Sequence, residues 1–268
     1  MPTDHTVRPP AVAGVFYPED REVLLDTVDA LLHPALTAPE LSAKILVVPH
    51  ATYQVCAPVA ACAYRTLRGR SIERVVLLGP AHRAPLRGLA LPGVTAFSTP
   101  LGEVALDAEL AARALALSQV TTVPGAHTFE HSLEVQLPFL QRLLPQFTIL
   151  PLAVGAALAD EVADVLEQVW GGPETLIVVS SDLSHYLPYA LAQRVDKQTC
   201  NTLLTLDGII SHDQACGATP LNGLVRAAQR HGLRPHLLDL RNSGDTAGEA
   251  GCVVGFAALA YTEPVAHA

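Results

Sequence analysis

The stretch Leu176-Ile-Val-Val-Ser-Ser-Asp-Leu-Ser-His185 decides the fold. Four apolar residues in a row, three of them β-branched, leave no polar alternation. That pattern reads as a strand covered on both faces, as in a parallel sheet sandwiched by helices. Directly after it come hydroxyls, a carboxylate and an imidazole, which are turn formers and also carriers of chemistry. The same arrangement occurs twice more. Ile45-Leu-Val-Val48 runs into Pro49-His50, and Val75-Val-Leu-Leu78 runs into Gly79-Pro80-Ala81-His82. In open α/β sheets, ligands bind outside the carboxyl ends of the strands. Three histidines delivered to that edge are therefore read as parts of one site.

Working outward, residues 7–18 are too proline-rich for a helix and read as an extended arm crossing the surface. Asp20 to Leu32 carries a helical apolar stripe with acidic residues at its start. Pro58 to Leu67 is alanine-rich and reads as a helix, which makes 45–78 a strand, helix, strand unit with a crossover. Short strands and turns are expected over 86–98, and a helix over Asp107 to Ser118 behind an Asp cap. After Pro124-Gly125 the positions Leu133, Leu137, Leu140 and Leu144 continue a helical face. Phe147 to Val154 reads as a strand, Asp160 to Trp170 as a helix closed by Gly171-Gly172, and Val195 to Leu206 and Leu221 to Gln229 as helices. Pro235 to Leu240 and Cys252 to Tyr261 are the last expected strands. The order predicts one α/β domain over 1–268, with helices on both faces of a mixed, mostly parallel sheet.

Composition excludes several function classes. The net charge of −9, with only 17 Lys and Arg in scattered positions, argues against a duplex nucleic acid partner. No apolar stretch reaches the roughly 18 to 20 residues that span a bilayer, and the N-terminus has no signal-peptide pattern, so the expected location is cytoplasmic. Cys56, Cys62, Cys200, Cys216 and Cys252 are odd in number and form no C-x-x-C pair, which indicates neither a disulfide framework nor a structural zinc site.

Among the polar residues, His50 and His82 are the strongest pair of ligand candidates for iron, zinc or copper. Cys216 precedes an expected helix start, where backbone N–H groups favour a thiolate. Asp182 and His185 share a hydroxyl-rich loop suited to orienting an imidazole for proton transfer. His127-Thr-Phe-Glu-His131 matches the H-x-x-E-H pattern of inverted zinc metallopeptidases, a rival reading that requires both histidines one turn apart on a helix. Asn242-Ser-Gly-Asp-Thr-Ala-Gly248 reads as a tight loop near the site, with backbone donors suited to an anion.

Several stretches carry a family resemblance: Ala13-Gly14-Val15-Phe16-Tyr17-Pro18, Val48-Pro49-His50-Ala51, Leu78-Gly79-Pro80-Ala81-His82, Glu130-His131-Ser132-Leu133-Glu134, Ser180-Ser181-Asp182-Leu183-Ser184-His185, Ala215-Cys216-Gly217 and Ser243-Gly244-Asp245-Thr246-Ala247-Gly248. With them the chain resembles the Memo family, related in fold to the class III extradiol, LigB-type dioxygenases. The resemblance implies a three-layer α/β/α sandwich with a cleft metal site formed by His50, His82 and Cys216, and with His131, Asp182 and His185 as nearby catalytic groups. It implies Fe(II) first, with Cu or Zn as alternatives, and a dioxygenase-like oxidoreductase acting on a small molecule or peptide. The other reading is a non-enzymatic adaptor that uses the same cleft for a phosphopeptide or a metal. A radical-SAM protein is the implied partner. The chain departs from the usual family pattern at Thr52, at Cys56-Ala57 and at Arg83, where glycines and a second histidine are customary.

Overall fold

The computed structural model describes residues 5–33, 39–246 and 251–264. Ala247 and Gly248 of the 242–248 loop, and residues 1–4, lie outside the described residues. In chain order the strands are β1 (Val7–Arg8), β2 (Ala43–Val48), β3 (Arg74–Pro80), β4 (Leu89–Leu91), β5 (Ala96–Thr99), β6 (Gly102–Ala105), β7 (Val120–Thr122), β8 (Thr148–Val154), β9 (Thr175–Ser180), β10 (His185–Leu187), β11 (Arg234–Asn242) and β12 (Val253–Thr262). The helices are α1 (Arg21–Leu31), α2 (Tyr53–Tyr64), α3 (Ala108–Leu115), α4 (Leu137–Leu143), α5 (Ala159–Gln168), α6 (Tyr189–Thr205), α7 (Ala218–Arg230) and α8 (Ser243–Thr246).

The centre of the main sheet is four parallel strands in the order β2-β9-β3-β8. β12 pairs antiparallel with β2, β4 pairs antiparallel with β8, and β11 and β10 both pair antiparallel with β12. The sheet is therefore mixed. β2 and β3 are not neighbours, because β9 lies between them, so the chain from 45 to 78 crosses over one intervening strand. The three strands that lead to His50, His82 and His185 are thus consecutive and parallel, and their carboxyl ends share one edge.

Side-chain alternation explains why these strands read as unbroken apolar runs. Leu46, Val48, Val75, Leu77, Leu176 and Val178 bury themselves in one core. Their neighbours Ile45, Val47, Val76, Leu78, Ile177 and Val179 bury themselves in the other. Residues from α1, α2 and α4 fill the first core, and residues from α3, α5 and α7 the second, so both faces of the sheet are covered.

Helix starts differ most from the sequence reading at α2 and α6. α2 begins at Tyr53, behind Thr52, and holds Pro58 in its interior. Burial of Tyr53, Cys56, Ala57, Val59 and Ala60 outweighs the hydrogen bond that a proline cannot donate. α6 begins at Tyr189, directly after Pro188. The expected Asp107 cap holds, accepting from Leu110 N, and Asp20 caps α1 by accepting from Glu22 N and Val23 N.

The N-terminal arm is pinned to the domain at several points. β1 joins β5 and β6 in a second, three-stranded sheet. Buried Arg8 pairs with buried Glu134 at 2.6 Å and donates to the carbonyls of His127 and Glu130. Glu134 also accepts from Ala11 N, Val12 N and the Tyr17 hydroxyl. The arm therefore clamps the segment that supplies His131. No helix among the described residues is long and apolar enough to cross a membrane.

Candidate metal centre

His50 follows β2, and its backbone N–H donates to Asp182 Oδ1 at 2.8 Å. Its ring is fixed from behind. Ser180 Oγ gives its one hydrogen to Ser132 O, at 2.6 Å, so toward its other neighbours it accepts. Those neighbours are Gln136 Nε2, at 2.9 Å, and His50 Nδ1, at 2.9 Å. His50 is accordingly held as the Nδ1–H tautomer with its Nε2 unprotonated. Tyr64 donates to Gln136 Oε1 at 2.8 Å and sets the orientation of that amide.

His82 follows β3 and is held by Glu130, which accepts from His82 N at 2.6 Å and pairs with His82 Nδ1 at 2.9 Å. Burial alone would raise the Glu130 carboxyl, but its bonds to His82 and to Ser132 N hold it down to about 2. It is a carboxylate, so His82 Nδ1 carries the proton and Nε2 is again free. Gly79 makes this approach possible, since a Cβ there would lie 2.5 Å from Ser132 Oγ.

His131 completes the cluster. The ring centroids of His50 and His82 are 5.2 Å apart, those of His50 and His131 5.3 Å, and those of His82 and His131 4.7 Å. One ligand nitrogen from each of the three lies within 4.8 Å of the others, so the group can hold a metal ion. His131 Nδ1 lies 3.4 Å from Glu130 Oε1 without hydrogen-bond geometry, and it is buried with no hydrogen-bond partner. Burial, then the neighbouring imidazoles, holds His50 well below the usual histidine range. Burial, opposed by Glu130, holds His131 down to about 4. Neutral rings are the form that binds metals.

Cys216 stands beside this cluster, its Sγ 3.2 Å from His50 Nε2. Two donors bound to one ion at roughly 2.0 to 2.3 Å from adjacent corners would be separated by about that distance. Gly217 caps α7 and donates to Ser181 Oγ at 2.9 Å, and a Cβ at Gly217 would meet that side chain at 2.6 Å. The expected thiolate is not what the surroundings favour. Burial, then Asp182, pushes the Cys216 thiol up to about 12, which outweighs the nearby helix start. Burial also pushes Asp182 up to about 7, against the N–H groups of His50 and Ala51. Asp182 Oδ2 is 4.0 Å from His50 Nε2.

His50, His82, His131, Asp182, His185 and Cys216 all line one cleft of about 620 Å³, together with Tyr186, His212 and Asp213. His185 Nδ1 bonds to Leu183 O at 2.9 Å, and burial lowers its basicity. The donor set of imidazoles and a thiol, with two rings anchored through Nδ1, fits a transition metal.

The inverted metallopeptidase reading fails. His127 is not on a helix with His131; its Nε2 bonds to Ala90 O at 2.8 Å, and it lies outside the imidazole cluster. Asn242 and Asp245 of the 242–246 segment line a separate cavity with Asp196 and Lys197, and Ser243 Oγ accepts from Val254 N, the strand partner of His185. Ser180, Gln136 and His212 were not singled out in the sequence. Ser180 acts on a histidine 130 residues away, and Gln136 supports it only through Ser180 and the Pro49 carbonyl, 44 and 87 residues distant, so no local signal marks either. Glu130 was visible beside His131, yet it serves His82. All five cysteines are free, and Cys252 is exposed.

Comparison with known proteins identifies the family. The family model described as Memo-like protein matches residues 8–260. A MEMO1 family protein of Aquifex aeolicus is 34% identical, covering 95% of this chain and 99% of its own length. One from Methanosarcina acetivorans is 36% identical over 94% and 98%, and one from Sulfolobus acidocaldarius 32% identical over 95% and 99%. With a match that runs from the arm through the histidine loops to the last strand, the chain belongs to the Memo family.

Proposed function

We propose that the protein is a non-haem iron-dependent oxidoreductase with dioxygenase-like geometry, acting on a small molecule or peptide, in which His50, His82 and Cys216 hold the metal. The observation that carries this reading is the anchoring of both His50 and His82 through Nδ1, which leaves two Nε2 donors in an open cleft, that of His50 3.2 Å from the Cys216 thiol. A LigB-like ancestry for the α/β architecture belongs to the same proposal. Bound iron would supply redox chemistry and open coordination positions for oxygen and substrate.

The chain's own residues handle protons and orientation. Cys216 must lose its proton to bind, so loading of the metal releases a proton from a thiol that burial keeps protonated. Glu130 fixes the tautomer of His82, and Ser180 fixes that of His50. His131 and His185 face the same cleft as neutral bases able to take a proton from a bound substrate. The test is oxygen uptake by anaerobically prepared protein on addition of Fe(II), a reductant and a panel of small aromatics and peptides. Uptake that requires Fe(II) and disappears in His82→Ala is the expected result. Tight metal binding with no uptake would leave a metal-dependent binding protein and end the oxidoreductase reading.

A further inference from the structure

Cys216 and His82 line a second cavity besides the histidine cleft. It has a volume of about 460 Å³ and is of a different character. Where the cleft presents imidazoles and carboxylates, this chamber is walled by Pro80, Ala84, Pro85, Leu86, Val154 and Pro220, with no acidic residue and no lysine or arginine in its lining. Its polar side chains are His82, His212, Cys216 and Thr219, and His82, His212 and Cys216 are shared with the cleft. The two chambers therefore meet at the proposed metal ligands.

We infer that the chamber is a specificity subsite that takes an uncharged apolar group, of the size of an aromatic ring, carried by the same ligand whose polar group occupies the histidine cleft. The inference rests on the proposed metal centre. A charged group entering the chamber would lose its water and find no counter-charge in the walls, whereas an apolar group meets proline, alanine, leucine and valine surfaces. The substrate class is thus amphiphilic: a metal-binding polar end joined to a neutral apolar arm.

The test uses Co(II)-loaded protein, whose visible absorption reports ligand binding, and two probes that share one chelating group. Acetohydroxamate offers a methyl group and benzohydroxamate a phenyl ring. Burying the ring is expected to tighten binding of benzohydroxamate over acetohydroxamate by about tenfold to a hundredfold. Ala84→Trp fills the chamber from the His82 side, and Thr219→Trp fills it from α7 on the other. Each is expected to abolish the phenyl advantage while leaving acetohydroxamate affinity and Co(II) content within about twofold of the parent. Equal affinity for the two probes in the parent, or a phenyl advantage that survives both fillings, overturns the subsite while the metal centre stands. Failure of the parent to bind Co(II) overturns the metal centre and the subsite together.

Discussion

At the scale of single residues, the site is organised by side chains that touch a histidine from behind. Glu130 is the clearest case. It accepts from both His82 N and His82 Nδ1, and an amide in its place presents one oxygen and one donor nitrogen, so one of those bonds must be lost. Glu130→Gln should weaken metal binding by about 10- to 100-fold with the fold intact, as competition with a coloured chelator would report. Unchanged affinity would mean that His82 is not held through Glu130. Ser180→Ala removes the acceptor of His50 Nδ1 and should show a loss of similar size in the same assay. His50, His82, Asp182 and His185 were legible in the sequence because each follows an apolar run at a strand end. Their anchors were not, since the contacts of Ser180 with His50 and of Glu130 with His82 join residues distant in the chain.

Elements were easier to read than residues. Strands stood out because both faces of the sheet are covered, so apolar residues continue without a break along β2, β3 and β9. Helix starts were harder: Pro58 looks like a first-turn residue, yet tertiary burial extends α2 five residues before it. The arm's proline content describes its backbone and says nothing of the Arg8–Glu134 pair beneath it. That pair gives a prediction. Arg8→Met strips the ion-pair partner from a fully buried carboxylate and should cost roughly 3–5 kcal/mol in urea unfolding. Arg8→Met combined with Glu134→Leu should recover much of that loss. A single variant as stable as the parent would show that the clamp is not a stabilising feature.

Over the whole molecule, metal chemistry and acid lability share a cause, which is the burial of neutral imidazoles. Burial holds His127 down to about 4 against an ordinary 6.5, so the unfolded chain binds more protons between those values. Its contribution to stability is therefore present above about 6.5 and is lost as the pH falls through about 4, a change of roughly 3 kcal/mol. His50 and His131 add to this in the same direction. Asp182 has the opposite sign: its stabilisation is full below about 3.8 and is lost as the pH rises through about 7. Thermal melts of metal-free His127→Asn between pH 4 and 7 should show a shallower acid slope than the parent, and an identical slope would contradict the assignment. The central claim is that His50, His82 and Cys216 together hold the metal at the shared edge of three parallel strands. The measurement that tests it most directly is anaerobic Fe(II) titration of the parent protein beside His50→Ala, His82→Ala, Cys216→Ser and Cys252→Ser. The account predicts a single tight site that rises in affinity with pH, is lost in the first three variants and is unchanged in the exposed Cys252 variant. Parent-like affinity in Cys216→Ser, or an equal loss in Cys252→Ser, would contradict it.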